Sequence, residues 1–388
     1  MTRSPAAVRR RRALGACAAA ALAGGVAIGA ANGPDGGHRS RPVAASRTPA
    51  LPPAARRKGA HEAARLSLDR LAGELVVIRF RGTTAPRYVL RALRRGRAAG
   101  VILFADNVRS PGQLARLTAA LRRAAPRPPV IAVDQEGGPV RRIPWAAPFA
   151  GQPAQAAGGT VGATARAGAR DLRRAGVTVV LAPVADVAAG PRSAVATRSF
   201  GSRGPQVAAT VTAAVRGWLA GHVAPTLKHF PGLGAATANT DFRRVTVARS
   251  APALRADLAA FRAGIAAGAP LVMVGHALYP ALDPAHIASQ SRRTIAGLLR
   301  RDLGFDGVVV TDSLEARAVT SRSPVGTAAA RSVGAGADLA LTTGRGSFLP
   351  VLRALRAAAH RNAGFARRVR VAAARVLALR RTLSPNVP

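Results

Sequence analysis

Short apolar runs rich in Val, Ile and Leu recur along the chain between longer segments of Ala, Leu and Arg. They fall at 74–80, 101–104, 130–134, 177–183, 224–230, 271–275, 308–312 and 337–341. Runs this apolar predict strands buried on both faces, as in a parallel sheet covered by helices. Segments of helical character lie between them at 87–99, 111–125, 161–175, 205–221, 251–267, 292–302 and 325–334. A closing helical pair covers 349–360 and 364–382. Eight β–α units over about 320 residues predict an α/β fold of the (β/α)8 TIM-barrel type, in a single domain. A doubly wound open sheet is the competing arrangement. No Gly-x-Gly-x-x-Gly follows the first strand, so its dinucleotide-binding form has no support.

The chain begins differently. Arg3 and the run Arg9, Arg10, Arg11, Arg12 precede an apolar stretch over 13–31 that ends in small residues. Charge, then an apolar run, then small residues predicts a secretory signal peptide over 1–31. The run is near the lower length for a membrane span, but its Ala and Gly content makes it weakly hydrophobic and favours cleavage. Leu14-Gly15-Ala16-Cys17 is similar to a lipobox. The apolar run before it is very short, so a lipid anchor at Cys17 is the secondary reading. Cleavage near Ala31 leaves a mature chain with no cysteine and no transmembrane span, secreted or held at the cell envelope. Residues 32–64 read as a Pro/Arg-rich linker, with Pro34, Pro42, Pro49, Pro52 and Pro53 and no apolar period. The barrel is expected over 65–388.

Composition narrows the classes. The chain has 388 residues and is 48% hydrophobic, which excludes a wholly disordered protein. Its one Cys excludes a disulfide scaffold and a Cys-based metal site. No His, Cys and carboxylate spacing fits another metal site, and no Gly-Lys-Ser/Thr loop fits a nucleotide, so no cofactor is expected. The net charge is +41, from 58 Lys+Arg against 17 Asp+Glu, and the only lysines are Lys58 and Lys228. Such an excess suggests a nucleic-acid or anionic-polymer partner. Residues 1–60 hold 11 basic residues against Asp35 alone, or +10, and the other +31 is scattered. Scatter argues against nucleic acid and leaves electrostatic contact with an anionic cell wall as an expectation.

Because acids are scarce, their positions are informative. Asp106, Asp134, Glu136, Asp186, Asp312 and Glu315 all fall at or just after the C-terminal end of a predicted strand. That rim carries the active site in barrel enzymes. One strand-end Asp is an ordinary helix cap or turn, but six in an acid-poor chain point to a site. Two carboxylates flanking one bond suit glycoside hydrolysis, although spacing alone does not select glycosides.

Five segments carry more. They are Asp134-Gln135-Glu136-Gly137-Gly138-Pro139-Val140-Arg141-Arg142, Pro183-Val184-Ala185-Asp186-Val187, Arg198-Ser199-Phe200-Gly201, Lys228-His229-Phe230-Pro231-Gly232 and Gly304-Phe305-Asp306-Gly307 through Asp312-Ser313-Leu314. Together, in this order, they resemble glycoside hydrolase family 3, and most closely its single-domain β-N-acetylhexosaminidases. The resemblance implies a retaining enzyme that removes terminal β-linked N-acetylglucosamine from cell-wall or chitin-type glycans, and the pattern over 1–31 makes it a secreted one. By position, Asp312 matches the nucleophile. Asp134, Arg142, Arg198, Lys228 and His229 match sugar-contacting groups, and Glu136 a supporting one. Lys228, in so Arg-biased a chain, is a compact three-donor ammonium for which guanidinium is no substitute. His276 is read as either a rim residue or a structural one, His222 as structural, and Trp145 and Trp218 as packing residues.

One loop departs from the family. Where the hexosaminidases continue His-Gly and then Asp-Ser-His, this chain has Leu233-Gly234 and then Asn239-Thr240-Asp241. The His that resembles the acid/base is absent, and Asp241 stands in its slot. Asp241 as the acid/base, with a raised pKa, is the first expectation. A slow enzyme, a non-catalytic wall-glycan binder, or β-glucosidase-type specificity are the alternatives.

Overall fold

The structure, a computed structural model, describes residues 49–383. The expected signal peptide and the first part of the linker lie outside the described residues. Eight strands form one sheet: β1 (Val76–Arg79), β2 (Gly100–Leu103), β3 (Val130–Val133), β4 (Val179–Val180), β5 (Ala224–Phe230), β6 (Leu271–Val274), β7 (Val308–Thr311) and β8 (Ala340–Leu341). Neighbours run parallel from β1 through β7, β8 pairs with β1, and a Val310–Leu339 bridge brings the ends together. The sheet closes into the expected (β/α)8 barrel.

Alternate strand residues divide between two apolar layers, as the two-residue period of a strand requires. Val77, Ile102, Ala132, Leu181, Met273, Val310 and Leu341 share the inner cluster. Ile78, Val101, Ile131, Val180, Val272 and Val309 share the outer one with the helices. The helices are α1 (Pro53–Arg65), α2 (Leu68–Gly73), α3 (Arg87–Arg94), α4 (Pro111–Ala124), α5 (Gln152–Ala157), α6 (Val161–Arg174), α7 (Gly204–Ala220) and α8 (Ala251–Ala266). They continue with a π-helical segment Arg293–Asp302, then α9 (Arg317–Thr320), α10 (Val325–Ala335), α11 (Phe348–Arg361) and α12 (Ala363–Thr382). Capping follows the sequence: Ser110 accepts from the Gln113 N–H before Pro111 opens α4, and Asn362 accepts from the Phe365 N–H at α12.

Three boundaries differ from expectation. Residues 53–64 were read as linker but lie in α1, which packs on α12. The sequence hides this helix because the contact uses small residues, Gly59 and Ala63, and no apolar stripe. A Cβ on Gly59 would meet the Ala374 carbonyl oxygen at 2.5 Å, so glycine is required by the close approach. Helix α3 stops at Arg94 because Gly96 turns the chain at φ +54°. Strand β4 is only two residues long, and Pro183 beyond it has no N–H to extend the ladder.

Leu51, Val376, Leu379 and Leu383 join the inner cluster, so the start of the described chain and the end of α12 contribute to the same apolar layer. One ion cluster beside β8 holds Arg side chains in the fold. Asp338, fully buried, accepts from Arg368 at 2.6 Å, from Arg300 and from the Val309 N–H at 2.9 Å, with Arg375 at 3.4 Å. Burial pushes its pKa up, but Arg300, Arg368 and Arg375 outweigh this and hold it below the ordinary value. Removing one member of such a group leaves buried charge uncompensated. Asp338→Asn is expected to lower unfolding free energy by about 3 kcal/mol, read as a lower urea midpoint.

Candidate active site

A cavity of about 480 Å³ opens at the C-terminal ends of the strands. Its floor is the inner layer itself: Ile102, Leu181, Met273 and Leu341 all face it. Its walls include every residue singled out from the sequence for catalysis or sugar contact, namely Asp134, Arg142, Arg198, Lys228, His229, Asp241 and Asp312.

Asp134 directly follows β3. The next residues form a hairpin, Gln135–Gly137 with Val140–Arg141, which returns Arg142 to the cavity. Gly137 is needed there, with φ +99° and the Ala150 carbonyl oxygen 2.1 Å from where a Cβ would sit. Lys228, in β5, lies 2.6 Å from Asp134 Oδ1 and 2.6 Å from Glu136 Oε1. Arg198 grips the same Glu136 with two bonds, Nε to Oε2 at 2.9 Å and Nη2 to Oε1 at 2.6 Å. Burial pushes Glu136 up, but Lys228 and Arg198 overcome this and hold it at about 2. Glu136 is thus a buried counter-ion that fixes two cations facing the cavity.

Asp186 is buried and serves as an anchor. Its Oδ1 accepts the backbone N–H of His229 at 3.0 Å and of Leu233 at 2.7 Å, and its Oδ2 accepts His229 Nδ1–H at 2.8 Å. This orients the imidazole and leaves Nε2 for a substrate. The anchoring role of Asp186 was not visible in the sequence beyond its strand-end position. His276 proves to be a buried structural residue. It bonds Ser289 Oγ at 2.8 Å through Nδ1, and its Nε2–H donates to the Ser313 carbonyl at 2.9 Å. His222 is exposed in the turn before β5, and Trp145 and Trp218 pack on the core.

Asp312 follows β7, half-buried, and its Oδ1 accepts the Ser313 N–H at 2.7 Å. That assigns Oδ2 as its freer oxygen. Ser313 is itself held by Glu315 at 3.2 Å and by Thr343, and Glu315 Oε2 accepts the Thr343 N–H at 2.7 Å. Burial raises the Asp312 pKa, but His229, His276, the Ser313 N–H and Lys228 together bring it below the ordinary value.

The loop after β5 carries Asp241 to the cavity mouth. Asn239 Oδ1 accepts the Asp241 N–H at 2.8 Å, an Asx turn. The first N–H groups of α9 then bond the loop: Arg317 to the Asp241 carbonyl at 2.9 Å and Ala318 to the Thr240 carbonyl at 3.1 Å. Because α9 follows β7, this docking sets Asp241 beside Asp312. Partial burial raises the Asp241 pKa, and the neighbouring Asp312 charge raises it further. Like charges at one site cannot both ionise easily, so the environments push the two carboxyls apart.

Arg79, Phe104 and Thr343 also line the cavity and went unread in the sequence. Arg79 is one of 56 arginines and carries no motif. Among the described residues no cluster of His, Cys, Asp or Glu is arranged to hold a metal ion, and no helix is long and apolar enough to cross a membrane.

Two carboxyl groups facing one sugar-sized cavity, with Asp312 lowered and Asp241 raised from the ordinary value, suit a glycoside hydrolase, here of the β-N-acetylhexosaminidase-like kind. Residues 67–379 match the family model described as glycosyl hydrolase family 3 N terminal domain. The chain belongs to glycoside hydrolase family 3. It is 41% identical over 262 residues to a β-hexosaminidase of Stenotrophomonas maltophilia, covering 64% of this chain and 77% of that one. A solved β-N-acetylhexosaminidase from Beutenbergia cavernae is 35% identical with a TM-score of 0.74, over 82% of this chain and 99% of that one. A family 3 β-N-acetylglucosaminidase from Paenibacillus is 35% identical with a TM-score of 0.78. The match spans 82% of this chain but only 63% of that longer one.

Proposed function

We propose that the protein is a secreted retaining hydrolase that removes terminal β-linked N-acetylglucosamine from cell-wall or chitin-type glycans. The observation that carries the reading is geometric: Asp312 and Asp241 face one cavity together with Asp134, Arg198, Lys228 and His229, and burial and neighbouring charge move the two carboxyl pKa values in opposite directions. Asp312 Oδ2 attacks the anomeric carbon while the bond to the leaving oxygen breaks, and Asp241 gives its proton to that oxygen. Asp241, now a carboxylate, takes a proton from water. The water attacks the anomeric carbon and releases Asp312, so Asp241 ends protonated as it began. Lys228, Arg198, Asp134 and His229 hold the sugar hydroxyls. The names of the similar proteins support the amino sugar, the pattern over 1–31 supports secretion, and the dispersed positive charge supports contact with an anionic wall.

Purified protein is expected to cleave nitrophenyl N-acetyl-β-glucosaminide with a kcat/KM at least about 100-fold above that for the β-glucoside, the scale on which a site built for a polar substituent rejects its absence. The first product seen by proton NMR is expected to be the β-anomer. Equal rates would shift the reading to a β-glucosidase, and an α-anomer would exclude a glycosyl-enzyme. Saturable binding of amino sugars with no turnover of any aryl glycoside would leave a wall-glycan binder, the reading favoured by the missing His.

A further inference from the structure

One wall of the cavity carries more positive charge than its carboxylates offset: Arg79, to which neither the fold nor the proposed chemistry gives a role, and Arg142, matched above to a sugar contact. The wall is built from the ends of β1, β2 and β3. Phe104, just past β2, has the Arg79 guanidinium 4.6 Å from its ring centroid and the Arg142 guanidinium 5.6 Å from it. All three line the cavity. The only carboxylate in ion-pair contact with either arginine among the described residues is Asp106, 3.3 Å from Arg79 Nη2 and partly exposed. Arg142 has no such partner, and the Nε of each arginine is buried with no hydrogen-bond acceptor. The other cations of the cavity are committed, Lys228 and Arg198 to Asp134 and Glu136.

Two guanidinium groups beside one ring repel each other, and a buried donor without an acceptor is costly. The negative face of the ring offsets part of this. A planar fork aimed into a cavity suits an oxyanion, which takes charge-assisted bonds from both arginines. Topology says which part of a substrate such a group belongs to. Asp134, proposed above to hold the sugar hydroxyls, directly follows β3 in this same wall, and Arg142 returns to the cavity on the hairpin that follows it. The β1–β3 wall faces the sugar that Asp134 holds.

We infer that Arg79 and Arg142 form a subsite for an anionic substituent, a sulfate or phosphate ester, carried by the terminal amino sugar itself. The inference rests on the reading that the cavity holds an amino sugar, and it adds an acidic class to the substrates.

The test measures competition by N-acetylglucosamine, its sulfate ester on the primary hydroxyl and its phosphate ester there, against hydrolysis of neutral nitrophenyl N-acetyl-β-glucosaminide. Both esters are expected to inhibit about tenfold more tightly than the neutral sugar, the scale of one charge-assisted bond. The advantage is expected to shrink as salt rises. Arg79→Gln should abolish it while leaving kcat and KM for the neutral glycoside within about twofold, and Arg79→Lys should keep part of it. The ratio of inhibition constants is internal to each variant, so a change in the amount of folded protein does not affect it. Esters that bind no better than the neutral sugar would overturn the subsite. So would an Arg79→Gln variant that retains the preference or weakens all three sugars equally. A failure of the neutral glycoside to turn over would strike the proposed function instead, and direct binding of the same three sugars would still decide the subsite.

Discussion

Asp312→Asn is expected to lower kcat/KM for an aryl N-acetyl-β-glucosaminide by roughly 10,000-fold or more, the order seen when a covalent nucleophile is removed. An amide is isosteric with the carboxylate but cannot attack the anomeric carbon. The Ser313 N–H keeps an acceptor in the amide oxygen, so local geometry should survive. Lys228 stays paired with Asp134 and Glu136, and sugar binding should persist, which equilibrium binding of N-acetylglucosamine would show. Mass spectrometry of the wild-type protein with a slow fluorinated glycoside should find one added glycosyl group on the peptide bearing Asp312. A variant that keeps its turnover, or a label on another peptide, would remove Asp312 from the nucleophile role.

Asp241→Asn should show a loss that depends on the leaving group. General acid catalysis contributes about 100- to 10,000-fold, and a poor leaving group needs the proton most. Loss of kcat/KM should fall near the top of that range for a disaccharide or alkyl glycoside and be small for a dinitrophenyl glycoside. Equal losses would argue against an acid. The second step offers an independent check. Azide attacks the anomeric carbon without needing a base to take a proton, so it should restore turnover in Asp241→Asn and yield a β-glycosyl azide.

The pH profile follows from the same pair. Activity requires Asp312 ionised and Asp241 protonated. Burial raises Asp312, but its cationic and N–H neighbours bring it below the ordinary aspartate value, so activity is lost on the acid side only as pH falls past that lowered value. Burial and the Asp312 charge raise Asp241, so its proton persists above the ordinary value and activity falls as pH rises through the raised one. The kcat/KM profile is therefore a bell. Asp241→Asn should erase its alkaline limb and leave the acid limb in place.

Much of this site is legible in the sequence. Strand ends were marked by β-branched runs stopping at an acid, as at Val133–Asp134 and Thr311–Asp312. A barrel delivers such ends to one rim whatever the helices between them contain. Lys228 stood out because only one other lysine exists in the chain. What escaped notice depends on contacts between distant segments. Arg79 lies among 56 arginines, and only the ring of Phe104 and the buried, unpaired Nε atoms distinguish it. Asp186 acts through three bonds to residues more than forty positions away. Helix α1 uses glycine and alanine against α12, a contact with no hydrophobic period to detect.

The altered β5 loop separates the two kinds of information. That Leu233, Asn239 and Asp241 replace the family's residues is a fact of sequence, and so is the supply of carboxylates at the right strand ends. Whether Asp241 serves beside Asp312 depends on where its loop docks. The N–H groups that open α9 make that decision, binding the Thr240 and Asp241 carbonyls and bringing two like charges to one cavity. Sequence by itself determined the barrel and the acids on its rim, because strand periodicity and strand ends are local. Tertiary structure alone decided which way their proton affinities move, because a pKa shift is set by burial and by the charges that distant segments bring near.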